Sequence, residues 1–131
     1  MRNKVQFLKQ NSYYLIISII CIFLIFNFFY TDKIWLNIAP ISSKTQTTCL
    51  SFKNESDIKE FTYSYIRYYL GEDVYKKQKR LSIENTQQSI KVYGHTMPVV
   101  SSWFGMGGGG IEMNFIHQAK CYSLLNISIA K

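Results

Sequence analysis

The sequence predicts an α+β protein in which an N-terminal transmembrane helix leads into a small domain, with an antiparallel sheet packed against helices and one disulfide as a staple. Three observations predict this. A long uncharged apolar run opens the chain, an amphipathic helical repeat comes after Cys49, and the remainder reads as short alternating segments.

Arg2, Lys4 and Lys9 lie within residues 1–12, which contain no acid, and Tyr13 to Tyr30 form an uncharged run of 18 residues. As a helix the run is about 27 Å long, close to the roughly 30 Å of a bilayer's hydrocarbon core. Tyr13, Tyr14 and Tyr30 stand at its ends, where amphipathic rings settle at headgroup level. The cations before it predict a cytoplasmic N-terminus and export of the chain beyond Tyr30. A cleavable signal peptide is the competing reading, but "NFFYTDKIW" places bulky residues where peptidase requires small ones. Residues 13–30 are therefore expected as a retained membrane anchor, and Cys21 as a small apolar residue within it. Residues 31–48 read as a polar tether whose Ile34, Trp35 and Leu36 rest at the outer interface. Residues 49–131 read as the exported domain.

Fifteen basic and eight acidic residues give the chain a charge of +7. Taking away the three cations ahead of the apolar run leaves 12 basic residues against 8 acidic ones, or +4, on the exported side. With that modest charge outside the cytoplasm, no nucleic-acid partner is expected.

In "NESDIKEFTYSYIRYYLG", Asn54 or Ser56 serves as N-cap, Glu55 and Asp57 complement the helix dipole, and Gly71 falls where a left-handed C-cap belongs. Ile58, Phe61, Tyr65, Tyr68 and Tyr69 recur on one side, with Lys59, Glu60, Ser64 and Arg67 elsewhere. "EDVYKKQKRLSIENTQQ" has weak periodicity and fits a short helix or a charged loop. Strands are expected in "SIKVYG", "TMPVVSSWFG", "IEMNFIHQAKCYS" and "LLNISIA". In the third, Ile111, Met113, Phe115 and His117 share a face, which suits a sheet covered on one side.

Cys49 and Cys121 are the two thiols outside the run, and in an oxidising compartment pairing is the default for a small exported domain. Closing the long loop between them stabilises by about 4 kcal/mol in the chain-entropy model. A metal site is the first rival, yet it needs further ligands and only His95 and His117 remain, without ligand spacing. A reactive thiol is the second. The run "GMGGGG" formally satisfies GxGxxG, but the "IEMNFIH" after it reads as strand, not as the helix a pyrophosphate requires. A hairpin connection beside Trp103, Phe104 and Met106 is the better reading. "YKKQKR" concentrates Lys76, Lys77, Lys79 and Arg80, either as a solvated face or as a patch for an acidic protein or anionic lipid. His95 and His117 read as ordinary strand or turn residues. No GxSxG elbow is present, and no enzyme, cofactor or metal signature is found.

The order of features resembles the colicin M immunity protein and YebF family of bacterial envelope proteins. The resemblance rests on the hydrophobic leader and on "CLSFKNESDIKEFTYSYIRYYLGED" opening with Cys49. It continues through a charged middle, "MPVV" at Met97 to Val100, a glycine hairpin, and "IEMNFIHQAKC" leading into Cys121. It covers residues 49–131. It implies an antiparallel sheet with helices on it, and a disulfide carried over by position to Cys49 and Cys121. This sequence lacks a tryptophan after the first helix and carries a longer glycine run than the family pattern. The long anchor points to the immunity branch, whose members reside in the inner membrane and neutralise a toxin that cleaves the lipid-linked peptidoglycan precursor. The resemblance thereby implies that the exported domain, residues 49–131, is periplasmic.

The function expected is therefore that of a non-enzymatic, membrane-anchored bacteriocin immunity protein whose partner is a toxin protein. Tyr75, Lys76, Lys77, Lys79, Arg80, Trp103 and Phe104 are the candidate contact residues. A small accessory subunit of a secretion or conjugation assembly is the alternative, and a periplasmic enzyme a third. A swapped homodimer is conceivable through the element held by the disulfide.

Overall fold

A computed structural model describes residues 2–40, 47–98 and 109–129. Helix α1, Arg2–Phe29, contains an apolar stretch, Asn11–Phe29, long and apolar enough to cross a membrane. A 3-10 turn, Asp32–Trp35, comes next. Then come α2 (Glu55–Tyr65), continued by a π-helical turn (Ile66–Leu70), and the short α3 (Glu72–Lys77). Strands β1 (Arg80–Asn85), β2 (Ser89–His95), β3 (Ile111–Gln118) and β4 (Cys121–Ile129) form one antiparallel sheet in sequence order. The architecture is α+β, with one apolar N-terminal helix, a four-stranded antiparallel sheet and a disulfide between Cys49 and Cys121.

Asn54 is the N-cap of α2, its side chain accepting from the Asp57 amide at 2.9 Å while the Asp57 carboxylate accepts from the Lys53 amide at 2.8 Å. The first bond satisfies one donor that a helix start leaves orphaned, and the second ties the residue ahead of the cap to the first turn. The buried stripe is Ile58, Thr62, Tyr63 and Ile66. That differs from the stripe read from sequence. Phe61 and Tyr65 are only partly buried, Ser64 is buried, and Tyr68 and Tyr69 are exposed. The last turn widens to i→i+5 bonding, so the residues after Tyr65 rotate away from the face they would hold in a regular helix. Gly71 closes the turn at φ 106°, ψ 157°, a conformation essentially confined to glycine, though extended and not the expected left-handed cap.

The inner face of the sheet contributes Leu81, Ile90, Val92, Ile111, Met113 and Phe115 to the core, where they meet Ile58, Tyr63 and Ile66. Phe52 and Phe61 pack edge-on against Phe115, with ring centroids 5.5 and 5.9 Å away. The outer face is a polar lattice. There Asn114 donates to Glu112 and Asn126, and Tyr93 donates to Glu84.

Several expectations need correction. "RLSIEN", within the stretch read as helix or charged loop, is edge strand β1. Of the strand expected at "TMPVVSSWFG", Thr96–Pro98 lie outside any strand and the rest falls outside the described residues. The strand drawn through "IEMNFIHQAKCYS" is two strands joined at Ala119 and Lys120, and "LLNISIA" continues the second of them as far as Ile129. His117 is exposed and lies against Tyr122, not in the core. Between Asn114 and Phe115 the register shifts, leaving Leu125 without a cross-strand partner, as the extra residue of a β-bulge is, and its side chain is exposed.

The segment expected as a tether is not free along its first half. Asp32 is buried, Leu36 and Ile38 pack on the core, and the Asn37 amide donates to Glu60. Further along, Leu50 exchanges both backbone bonds with Tyr122, at 2.7 and 2.8 Å, and Thr47 accepts from Leu124. Chain that precedes α2 thus covers both sheet edges: Asp32 at β1, and residues 47–50 at β4.

Candidate functional site

Among the described residues the most buried charge is Asp32, 8% exposed and set just past the end of α1. One carboxylate oxygen accepts from the Tyr63 hydroxyl, and the other accepts from the Leu81 amide at 2.9 Å and lies 3.7 Å from the Lys59 ammonium. The Asp32 amide itself donates to the Lys79 carbonyl at 3.3 Å. Asp32 therefore joins four elements, its carboxylate linking the 3-10 turn to α2 and β1 and its amide linking the turn to the α3–β1 connection. Burial, and then the bond to Asp32, raise the Tyr63 phenol far above its ordinary value, so it serves here as a fixed donor.

Beside it, Lys33 donates to the Tyr75 carbonyl in the last turn of α3, which also accepts from the Gln78 amide at 3.2 Å. Its ammonium sits 4.0 Å above the Tyr75 ring and 5.4 Å from that of Tyr63. Burial lowers its pKa to about 8, against the pull of Asp32 in the other direction. Arg67 approaches the same Tyr75 ring at 5.2 Å and pairs with Glu72 at 2.8 Å. Tyr75 is thus flanked by two cations, a cation–π arrangement, and its own phenol is raised by burial.

From this joint an exposed face runs along the π-helical turn and α3. It carries Tyr68 and Tyr69, 43% and 45% exposed, with Tyr69 stacked on Tyr65 at 4.6 Å and Arg67 over the Tyr68 ring. Lys76 and Lys77 are exposed at the end of α3. The residues expected from "YKKQKR" divide accordingly. Tyr75 is half-buried in the joint, Lys76 and Lys77 are open to solvent, and Lys79 and Arg80 are half-buried at the entrance to β1. Trp103 and Phe104, with Met106, lie outside the described residues. Reading the sequence missed Asp32, Lys33, Arg67, Tyr68 and Tyr69. A signal for the last two existed in "RYYLG", where three consecutive large polar-tipped residues exceed what one buried stripe can hold.

Two other constellations carry chemistry of their own. The Ser82 hydroxyl and His95 Nε2 are 2.7 Å apart, a nucleophile–base distance. Burial and then Arg80 lower the His95 pKa, and among the described residues no carboxylate is hydrogen-bonded to the ring to orient it. The end of the glycine run has a packing reason: a Cβ on Gly110 would overlap the Gly94 carbonyl of β2. Among the described residues, no group of three His, Cys, Asp or Glu gathers to hold a metal.

Comparison with protein-family models, with curated proteins and with solved structures finds no match for this chain.

Proposed function

We propose that this chain is a bacteriocin immunity protein of the colicin M immunity type, held in the inner membrane by α1 with its domain in the periplasm. It acts there by binding a toxin directed at the lipid-linked peptidoglycan precursor. Anchoring raises its effective concentration where such a toxin works. The observation that carries the reading is the exposed face of Arg67, Tyr68 and Tyr69, continuous with Tyr75, Lys76 and Lys77. Tyrosine and arginine dominate binding hot spots because they bring large area and directed polar contacts with few rotors to freeze. Supporting it as well are the helix-first α+β order and a disulfide that ties the segment ahead of α2 to the last strand, both implied by the family resemblance.

Removing the gene from its native strain and challenging the cells with their own culture supernatant tests the function. Lysis with loss of undecaprenyl-linked precursor is expected, and undiminished growth refutes it. Alanine at Arg67, Tyr68, Tyr69, Tyr75, Lys76 and Lys77 together is expected to abolish protection while leaving the disulfide formed. Alanine at Lys79, Arg80, Trp103 and Phe104 provides the companion set, and full protection by the first variant rejects this face.

A further inference from the structure

The cover over β4 stops halfway along the strand. Leu50 exchanges both backbone bonds with Tyr122, and Thr47 accepts from the Leu124 amide, so the backbone groups facing away from β3 belong there to Tyr122 and Leu124. The bulge at Leu125 adds one residue, which moves that set to Ile127 and Ile129. Both stay in register with β3, opposite Met113 and Ile111, yet among the described residues no backbone group bonds to them on the far side. Pro40, which lines one cleft with Ser51, is seven residues from Thr47. Seven links span at most about 25 Å, less than the roughly 30 Å of a path out to Ile127 and back to Ser51.

The opposite edge of the sheet is guarded, and this half of β4 is not. At β1 the Leu81 amide is taken by Asp32, and Arg80 and Glu84 set charges along the strand. From Tyr122 to Ile129 there is no charged residue and no proline, the side chains by which an edge is kept from pairing with another chain. Large apolar groups stand open instead, Leu125 at 66% and Ile129 at 53% exposure. Asn126 and Ser128 lie on the polar outer face of the sheet, and Ile127 and Ile129 on the inner one.

We infer that β4 of one copy pairs antiparallel with β4 of a second copy, about a twofold axis at Ser128, with no element exchanged. Ile127 of each copy then trades both backbone bonds with Ile129 of the other, which satisfies the groups left facing solvent. A symmetric contact requires a strand that is its own complement. This one is: the isoleucines meet on the inner face, the two Ser128 side chains meet on the outer face, and no charge is brought against a like charge. The contact is short, and the anchoring proposed for α1 strengthens it by confining both copies to one bilayer. The π-helical turn and α3 lead into β1 at the far edge of the sheet, so the tyrosine face stays open in both copies.

The test uses the full chain with Cys21→Ser and Ser128→Cys, reconstituted in phosphatidylcholine vesicles and oxidised with copper phenanthroline. Directly opposed residues of an antiparallel pair stand about 4.5 to 5.5 Å apart at Cβ, close enough for a disulfide to form with a small shift. A disulfide-linked dimer is expected, about tenfold more abundant than from Glu84→Cys, which is exposed on the same face at β1. Chance collision in the bilayer would link both positions equally. Ile129→Pro deletes an amide that faces away from β3, so it should cut the linking about tenfold while the Cys49–Cys121 bond persists. Ile129→Lys, which sets a charge beside Ile127 of the second copy, should reduce it likewise and keeps the backbone intact. Linking through Ser128→Cys no greater than through Glu84→Cys, or unchanged by both substitutions at Ile129, overturns the inference. The two cysteine variants share α1, so their ratio is independent of the anchor and of any toxin, and a carbonate wash reports on the anchor separately.

Discussion

The two edges of the sheet are closed by the same stretch of chain in two different ways. At β4, Cys49 and Cys121 are covalently joined, with Cα atoms 4.7 Å apart, and Leu50 pairs with Tyr122. At β1 the fastening is one buried carboxylate, Asp32, holding Tyr63, Leu81 and Lys59. An exposed strand edge invites pairing with another chain, and covering both edges with preceding sequence reduces that hazard. The covalent end answers to redox conditions. The carboxylate end answers to the integrity of a hydrogen-bond network, and it binds α1 to the domain.

Breaking the covalent end should have the largest effect. Cys49→Ala with Cys121→Ala, which opens a loop with a sequence separation of 72, is expected to cost about 4 kcal/mol in urea unfolding of the full chain in detergent. Breaking the other end comes next: Asp32→Ala strands a buried phenol and the Leu81 amide, for a loss of roughly 3 kcal/mol by the same measurement. Asp32→Asn keeps one acceptor and should lose about half as much.

A smaller change sharpens the contrast from the β4 side. Ala119, in the turn that leads into Cys121, has φ 55°, a left-handed conformation that glycine adopts without strain. Ala119→Gly should raise stability by up to about 1 kcal/mol, seen as a higher urea midpoint with an unchanged slope. The smallest effect is expected at the β1 end and depends on pH. His95, whose carbonyl accepts from Lys79, has a folded pKa below its ordinary 6.5. As pH falls the unfolded chain takes up that proton first, so stability is full above about pH 6.5 and declines below it until the lower folded value is passed. His95→Gln should flatten this slope in unfolding measured across pH 5 to 7, the ordinary titration range of histidine.

The same contrast explains which features were legible in the sequence. Cysteines are few and their chemistry is compartment-dependent, so Cys49 and Cys121 stood out from their positions alone. Asp32 looked like any polar residue after an apolar run, because nothing local marks a carboxylate whose partners are 31 and 49 residues away. Helix α2 could be read from Asn54, Asp57 and its apolar repeat, and β2 and β3 from their alternation. Strand β1 could not: "RLSIEN" is an edge strand with one polar face and charged flanks, so its apolar signal is reduced to Leu81 and Ile83. The β3–β4 turn was hidden because "QAKC" lacks the glycine or asparagine that its backbone would favour. Much of the candidate site was missed for a related reason, since the π-helical turn moves Tyr68 and Tyr69 off the buried side that a regular repeat assigns to them.

The central claim is that a chain fixed in the membrane by α1 folds its domain on the oxidising side, with Cys49 joined to Cys121. Acid-quenching growing cells and then labelling the denatured chain with a maleimide of large mass tests it directly. Of the three cysteines, one, Cys21, should be modified without reductant and all three after reduction. Three adducts without reductant would place both domain thiols in a reducing compartment and contradict the account.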